Sequence, residues 1–200
     1  MNSITDLRLK RAQSLVGMSD GRPDLDFYPT PPAATKALLA AEQFEGRIWE
    51  PACGSGAMSD VLVEHGYDVL STDIHDYGYA GMSAKLDFLK AGSDTIVDNV
   101  VTNPPFTLGQ KFVEKALSVS TRKVAILQKL AFLESIERMK LFQSTPLRRV
   151  WVFGPRLTLS REGQSQKNSG MIAFAWFVWD HSHDGEATLG WLDHRPFQTA

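Results

Sequence analysis

The stretch Asn99-Val100-Val101-Thr102-Asn103-Pro104-Pro105-Phe106 joins an apolar run to a pair of prolines. The apolar run predicts a buried strand. The prolines fix φ and offer carbonyl groups but no N–H donors, and the residue before each proline is kept out of the helical region. Asn103 is therefore expected at the carboxyl end of a strand, with its amide oxygen and the next carbonyl facing one point.

Two converging acceptors suit an –NH2 group on a planar molecule, for example the exocyclic amine of adenine or cytosine. Phe106 would supply a flat face beside them. A Pro-Pro turn that merely begins a loop is an equally good interpretation of the tetrapeptide taken alone. The surrounding sequence has to decide between the two.

Strand and helix patterns alternate around this stretch, which predicts an α/β fold with a mostly parallel sheet and helices on both faces. In such sheets ligands bind outside the carboxyl ends of the strands, where Asn103 would lie. The predicted helices are Ala33–Gln43, Met58–His65, Gly109–Ser120 and Phe132–Phe142. The predicted strands are Arg47–Glu50, Asp68–Asp73, Thr95–Thr102, Lys123–Gln128, Arg149–Phe153 and Met171–Trp179.

A glycine-containing segment, Glu50-Pro51-Ala52-Cys53-Gly54-Ser55-Gly56, follows the first predicted strand and precedes a helix. Glycines let the backbone approach a ligand closely, and a helix N-terminus favours a carboxylate or a phosphate. The dinucleotide-binding fingerprint would need a third glycine at Ser59, so this segment is not that fingerprint.

Two acidic positions follow this segment, and each allows two interpretations. Asp73 ends the second predicted strand, where it can accept hydrogen bonds from both hydroxyls of a ribose or act as a turn residue. Asp87 with Phe88 could hold the amine of an adenine ring against an aromatic face, or be a capping Asp beside a core Phe.

The length of 200 residues suits one domain with a substantial core. We expect residues 1–26 to form a peripheral segment and residues 27–200 to form the domain. No apolar stretch approaches the length that spans a bilayer, and the amino terminus lacks the apolar core of a signal peptide. The single cysteine, Cys53, excludes an intramolecular disulfide and fits a reducing cytoplasm. A cytoplasmic protein with no membrane partner is expected.

The charge is distributed unevenly along the chain. The formal net charge of −2 argues against a general nucleic-acid coat. Between Arg138 and Lys167, however, seven cations are opposed by one acid, Glu162. A solvated surface is the simplest interpretation of each residue alone, but the window as a whole suggests a face adapted to phosphates.

The order of these motifs resembles that of the S-adenosylmethionine-dependent amino-methyltransferases, and most closely the adenine-N6 DNA methyltransferases. Glu50–Gly56 is similar to their first motif and Asn103–Phe106 to their catalytic motif. Tyr28-Pro29-Thr30-Pro31 resembles the segment that contacts the methionine part of the cofactor, and here it precedes the first motif, as in the gamma arrangement of the family. The resemblance covers roughly residues 27–180 and implies one Rossmann-like domain with a seven-stranded, mostly parallel sheet.

The resemblance implies a role for each matching residue. Asn103 and the Pro104 carbonyl would accept the two hydrogens of the target amine, and Phe106 would stack on the base, which must be flipped out or single-stranded. Methionine binding would involve Thr30, Ala52, Gly54 and Gly56, ribose binding Asp73, and adenine binding Asp87 with Phe88. The complete implied sets are Asn103, Pro104, Pro105 and Phe106 for catalysis, and Tyr28, Pro29, Thr30, Glu50, Ala52, Gly54, Gly56, Asp73, Ile74, Asp87, Phe88 and Asn103 for S-adenosylmethionine.

The implied activity is methyl transfer to N6 of adenine in DNA. The catalytic motif does not separate this substrate from adenine N6 or guanine N2 in RNA, cytosine N4 or a protein glutamine amide, because each presents an –NH2 on a planar group. The basic window favours nucleic acid. A different alternative is that the protein is not an enzyme but a catalytically idle subunit that binds the cofactor. The intact Asn103–Phe106 motif argues against this alternative.

The remaining length also affects how a target would be recognised. After Asn103 only 97 residues remain, and predicted elements occupy most of them, so no independent target-recognition domain is expected. The target sequence would then be recognised by a specificity subunit or by the loop Gly154–Gly170, or the enzyme would have little sequence specificity. A homodimer is also compatible with this sequence. The loop carries the candidate nucleic-acid contacts Arg156, Arg161 and Lys167.

Other chemically suggestive residues receive structural interpretations. Cys53 is expected to pack under the glycine segment, since cytosine-C5 methyltransferases need a Pro-Cys pair where this chain has Pro-Pro-Phe. His181, His183 and Asp184 are interpreted as a solvated turn after a strand, and no metal is expected. The aromatic residues of the last predicted strand are expected in the core, with one of them a candidate wall of the base pocket.

Overall fold

The computed structural model describes residues 28–92, 94–159 and 172–198. The predicted peripheral segment 1–26 and the candidate contacts Arg161 and Lys167 lie outside these residues. The strands are β1 (Ile48–Glu50), β2 (Val69–Asp73), β3 (Ala84–Lys85), β4 (Val97–Thr102), β5 (Ser120–Lys129), β6 (Leu147–Phe153), β7 (Phe174–Asp180) and β8 (Thr188–Leu192). The helices are α1 (Pro32–Ala41), α2 (Ala57–Glu64), α3 (Gly109–Val119) and α4 (Ile136–Ser144).

The strands form one sheet in the order β3-β2-β1-β4-β5-β7-β6-β8. Among the strands of the described residues only β7 runs antiparallel, because it pairs with both β5 and β6 in that sense, whereas the other neighbouring strands are parallel. The predicted α/β class and mostly parallel sheet are confirmed.

The sheet has eight described strands rather than seven, and the strands that were not predicted lie at its two edges. Strand β3 is two exposed residues long, and β8 is mostly exposed with a glycine at its centre. Neither carries the alternating or continuous apolar pattern by which a strand is recognised in sequence.

Helices cover both faces of the sheet, as predicted. Strand β7 shows the division: Ala175, Phe177 and Trp179 join one core cluster, whereas Phe174 and its alternate neighbours join the other. Helices α3 and α4 contribute to the first cluster through residues such as Phe112 and Leu141. Helices α1 and α2 contribute to the second.

The predicted helix Phe132–Phe142 is divided in the structure. A 3-10 turn, Leu130–Leu133, comes first, and α4 begins only at Ile136. Ser135 separates them because it has a φ of 115° and its side chain accepts a hydrogen bond from the backbone N–H of Arg138. A serine that caps a helix begins it rather than lying within it.

The chain order reverses between β1 and β4, which lie side by side. Connections leave β1 towards β2 on one side and β4 towards β5 on the other, which makes a crevice at the carboxyl ends of these strands. Asn103 follows the last residue of β4 and therefore lies at this crevice. Among the described helices none is long and apolar enough to cross a membrane.

Glu42 joins the end of α1 to the sheet and provides a test of the fold. Its carboxylate is 4 % exposed, lies 2.8 Å from Lys123 Nζ and accepts a hydrogen bond from Trp151 Nε1 at 3.0 Å. Glu42→Ala leaves a mostly buried cation and an indole N–H without this partner, and should lower the free energy of unfolding by about 3 kcal/mol.

Urea denaturation measures this change. Glu64→Ala is the control, because Glu64 lies 3.9 Å from Lys36 on the surface and its loss should cost less than about 1 kcal/mol. Equal losses in the two variants would contradict the assignment of Glu42 as the anchor of α1.

Candidate active site

A cavity of about 350 Å³ lies at the carboxyl ends of β1, β2 and β4. Its volume falls within the range typical of small-molecule sites. It brings together segments that are distant in the chain and were selected from the sequence. The selected residues that line it are Tyr28, Pro29, Thr30, Glu50, Ala52, Asp73, Ile74, Asp87, Phe88, Asn103, Pro104, Pro105 and Phe106. Of the selected binding residues, Gly54 and Gly56 are not part of the lining.

The Asn103 side chain is held by the segment that precedes α1. Its Nδ2 donates to the Tyr28 carbonyl oxygen at 3.3 Å and to Thr30 Oγ1 at 3.0 Å. A carbonyl oxygen can only accept, so the amide nitrogen must be the atom that faces Tyr28. The orientation of the amide therefore follows from its surroundings and is not an arbitrary choice between nitrogen and oxygen.

The same orientation leaves Asn103 Oδ1 as a buried acceptor. This atom has no hydrogen-bond partner among the described residues, although Asn103 lines the cavity. Leaving a buried acceptor unsatisfied costs free energy, so such an atom calls for an explanation. A donor bound in the cavity would satisfy it.

Phe106 lies in an aromatic group beside Asn103. Its ring centroid is 6.4 Å from that of Tyr28, with 28° between the planes, and 5.5 Å from that of Phe174. The ammonium of Lys129 lies 5.0 Å from the same centroid. Phe174 is thus the β7 aromatic that packs beside the predicted stacking residue.

The glycines of the glycine segment allow backbone conformations with positive φ. Gly54 and Gly56 have φ values of 53° and 90°, in the region that side chains other than glycine disfavour. A Cβ on Gly56 would collide with the ring of Tyr79. Tyr79 in turn donates to Asp60 Oδ1 at 2.9 Å. These contacts bring the connection after β2 against the first turn of α2.

Asp73 organises the backbone around it. Its Oδ2 accepts from the N–H of Gly54 at 2.9 Å, and its Oδ1 accepts from the N–H of His75 at 2.9 Å. The side chain joins the glycine segment to the end of β2, which is the structural role that the sequence left open. Because a carboxylate offers about four lone-pair sites, acceptor capacity remains on both oxygens.

Asp87 and Phe88 line the cavity but also have the structural roles weighed from the sequence. Asp87 accepts from the N–H of Leu89 at 3.1 Å and lies 3.1 Å from Lys90 Nζ. Phe88 is 2 % exposed and packs edge-on against Trp49 at 5.0 Å. Its ring is therefore mainly part of the core.

Glu50 is the most strongly perturbed acid of the site. It is buried at the end of β1 and accepts a hydrogen bond from Ser59 Oγ, which also contacts Ser71 Oγ at 2.6 Å. Burial is the main cause that raises the pKa of Glu50, and together with the Asp73 carboxylate it brings the value to about 8 against the lowering effect of the Ser59 hydrogen bonds. No sequence pattern indicates Ser59 and Ser71 as partners of Glu50.

Further lining residues were not selected from the sequence. His75 and Tyr77 lie in the connection after β2, and Leu108 and Phe112 lie at the beginning of α3. Their position directly after the carboxyl ends of two strands was the available signal.

Cys53 is buried, and its thiol has a pKa raised to about 12 by burial and by the Glu50 and Asp73 carboxylates. A thiol in this state is protonated at neutral pH and is a poor nucleophile. This agrees with the prediction that Cys53 is a packing residue.

The basic window does not act as a single set of free cations. Arg148 lies 2.7 Å from Asp180, and Arg149 donates to Thr188 Oγ1 at 3.0 Å while its guanidinium lies 4.9 Å from the Trp151 ring. These two charges are engaged in contacts within the sheet. The residues after β7 form a turn at His181, as predicted, and His181 Nε2 lies 3.1 Å from Ser120 Oγ.

Comparisons with solved structures identify the fold. The modification subunit of an enzyme assigned as a type I restriction enzyme, from Vibrio vulnificus, aligns with a TM-score of 0.58 at 15 % identity over 92 % of this chain. This chain spans about half of that subunit, 51 % of its length. A protein of Pyrococcus horikoshii assigned as an RNA methyltransferase aligns with a TM-score of 0.61 at 16 % identity, covering 87 % of this chain and 98 % of that protein.

An S-adenosylmethionine-dependent O-methyltransferase from Thermotoga maritima aligns with a TM-score of 0.50 at 14 % identity, covering 92 % of this chain and 74 % of that protein. A scan of this chain against models of protein families finds no match. A search of curated proteins likewise finds no relative. At these identities the shared property is the Rossmann-like methyltransferase fold, and substrates differ among proteins that share a fold.

Glu50 should make the stability of this protein depend on pH. In the folded protein the Glu50 carboxyl group has a pKa of about 8, whereas its ordinary pKa is 4.5. The native state therefore binds more protons than the unfolded chain between these values, and the free energy of unfolding should fall as pH rises through that interval. Glu50→Gln, which cannot ionise, should remove this part of the fall.

Urea denaturation at about pH 5 and about pH 8 measures the difference between the variant and the parent. Glu137→Gln, at an exposed position on α4, is the control and should retain the parent's pH dependence. Identical pH dependence in Glu50→Gln and the parent would contradict the assignment.

Proposed function

We propose that this protein transfers a methyl group from S-adenosylmethionine to an exocyclic amine, and that the acceptor is N6 of adenine in DNA. The observation that carries the proposal is the buried Asn103 Oδ1, which has no hydrogen-bond partner among the described residues. Such a buried acceptor, on a residue that lines the cavity together with the aromatic ring of Phe106, suits an –NH2 group on a planar base.

The residues around the cavity fit the cofactor. Thr30, Ala52 and the glycine segment would hold the methionine part, with Gly54 and Gly56 supplying the positive φ angles that let the segment turn beside the cavity. Asp73 and Ile74 would bind the ribose, because the Asp73 carboxylate can still accept hydrogen bonds from hydroxyl groups. The cavity edge at Asp87 and Phe88 would bind the adenine part. When bound, the cofactor supplies an electrophilic methyl group on a sulfonium centre.

The contribution of the protein to catalysis is orientation and electrostatics. Asn103 Oδ1 and the Pro104 carbonyl would accept the two hydrogens of the amine, which draws the nitrogen lone pair out of conjugation with the ring. The nitrogen then presents this lone pair in one direction. Holding a nucleophile in a reactive geometry supplies much of the rate enhancement of such reactions. Phe106 would stack on the base and hold its plane.

The proposal that the substrate is DNA is supported by proteins that share the fold. Two of the proteins that share the fold are a restriction modification subunit and a protein assigned as an RNA methyltransferase. The first supports DNA as the substrate, and the second keeps RNA as the alternative. Because this chain spans about half of the modification subunit, target recognition by a specificity subunit or a second copy belongs to the same proposal.

A transfer panel tests the proposal. The purified protein is incubated with methyl-labelled S-adenosylmethionine and, separately, with single-stranded DNA, duplex DNA, RNA and protein. Label recovered as N6-methyladenine in DNA is the expected result. Label in RNA, in cytosine or in a glutamine amide keeps the chemistry but replaces the substrate. Cofactor binding without any transfer would instead indicate an idle subunit.

Asn103→Ala tests the mechanism. Removing the buried acceptor should lower kcat by about 100-fold or more, the magnitude found when one oriented catalytic hydrogen-bonding group is removed. Cofactor affinity, measured by calorimetry, should stay within a few fold. Gln143→Ala, which removes an exposed carboxamide from α4, is the control and should leave kcat unchanged. Full activity of Asn103→Ala would refute the proposed mechanism.

A further inference from the structure

We infer that Lys129 binds a phosphate flanking the target base, so that the acceptor is a nucleotide within a polynucleotide rather than a protein amide. This inference rests on the proposed function and assigns a specificity residue beside the same site: Lys129 contacts Phe106, which lines the cavity, but is not itself part of the lining. Lys129 is absent from the residues selected from the sequence, and it lies outside the basic window.

The position of Lys129 links it to the catalytic motif. It is the last residue of β5, the strand that pairs in parallel with β4, and Asn103 follows the end of β4. Its ammonium lies 5.0 Å from the centroid of the Phe106 ring. Lys129 is also paired with Phe174 in the sheet, so it stands at the aromatic group that would receive the base.

The charge of Lys129 lacks a carboxylate partner within the described part of the chain. Two other lysines do have such a partner: Lys90 lies 3.1 Å from Asp87, and Lys123 lies 2.8 Å from Glu42. The one contact found for the Lys129 ammonium is the face of Phe106. A cation over an aromatic ring is held there only weakly and can exchange this contact for an anion.

The acids and the cation lie on different sides of the site. Glu50 and Asp73 end β1 and β2, and Asp87 follows β3. These three strands lie on one side of β4 in the sheet, whereas Lys129 ends β5 on the other side. The acidic side suits the hydroxyls and the cationic groups of the cofactor. The side with Lys129 suits an anion.

The chemistry of the ammonium limits its role. It has three donors and no acceptor, so it cannot take the proton that the amine loses on methylation. A base that stacks on the same face of Phe106 would displace the ammonium from the ring. In a polynucleotide that base brings its own phosphates, which a lysine binds as a point charge. A glutamine amide brings no such anion.

The test combines a protein variant with a modified substrate. Lys129→Ala is compared with the parent on a single-stranded adenine-containing oligonucleotide, and on the same oligonucleotide with a neutral methylphosphonate at one flanking phosphate, 5′ or 3′ to the target. We expect KM to rise about tenfold in the variant, about 1.4 kcal/mol at 25 °C. We expect kcat to change little, and the salt dependence of binding to lose about 0.7 of a unit, the value for one phosphate contact on a single strand.

The methylphosphonate at one of the two positions should raise KM for the parent by a similar factor and add nothing in Lys129→Ala, because both changes remove the same contact. Lys129→Arg should retain most of the affinity. Arg122→Ala is the matched control, since it removes a cation from the opposite end of β5, and it should behave like the parent.

Three results would overturn the inference. An unchanged KM and salt dependence in Lys129→Ala would do so, as would additive penalties from the variant and the methylphosphonate. If both kcat and the thermal stability of Lys129→Ala fall, Lys129 has a packing role instead. If the parent methylates only a protein amide, or nothing, the proposed function itself fails, and that result is visible before any variant is made.

Discussion

The hydrogen bonds from Asn103 Nδ2 to Tyr28 and Thr30 are the constraint on which the site depends. They join residues separated by 75 and 73 positions, and so attach the segment that enters α1 to the end of the central strand β4. They also consume both donors of the amide, which turns its oxygen into the available acceptor. One pair of contacts thus joins Tyr28 and Thr30 to Asn103 in the cavity lining and sets which end of the amide is the acceptor. For the proposed function, the same side chain would not serve if its nitrogen faced the substrate amine.

The distribution of charge complements this constraint. The three carboxylates of the cavity lining lie on the β1 to β3 side of β4, and each is accommodated differently. Glu50 is shifted towards its neutral form by burial, Asp73 is stabilised by two backbone N–H groups, and Asp87 is paired with Lys90. A site with three ionised, unpartnered carboxylates would be costly to fold. The lining acids thus lie on one side of β4, and Lys129, which ends β5, lies on the other side and contacts the lining residue Phe106.

Much of the fold and of the site could be predicted because their signals are local. Strand and helix alternation is a periodicity within short windows, and the Asn103–Phe106 motif joins one strand end to one loop. The rest depends on contacts between distant residues. The Glu50 network needs Ser59 and Ser71, which are brought together only when α2 and β2 pack on β1. Nothing in the sequence around Lys129 indicates that its ammonium contacts the Phe106 ring. The edge strands β3 and β8 and the division at Ser135 carry too little apolar pattern to be seen in advance.

The antiparallel strand β7 has a consequence for how the protein is made. All seven of its residues are buried, and it lies between β5 and β6, both of which precede it in the chain. During synthesis from the amino terminus, those two strands must wait, with their pairing edges and apolar faces uncovered, until residue 180 has left the ribosome. Exposed strand edges are templates for wrong pairing between chains. The centre of this sheet therefore closes late in synthesis, when β7 inserts between two strands that were made before it.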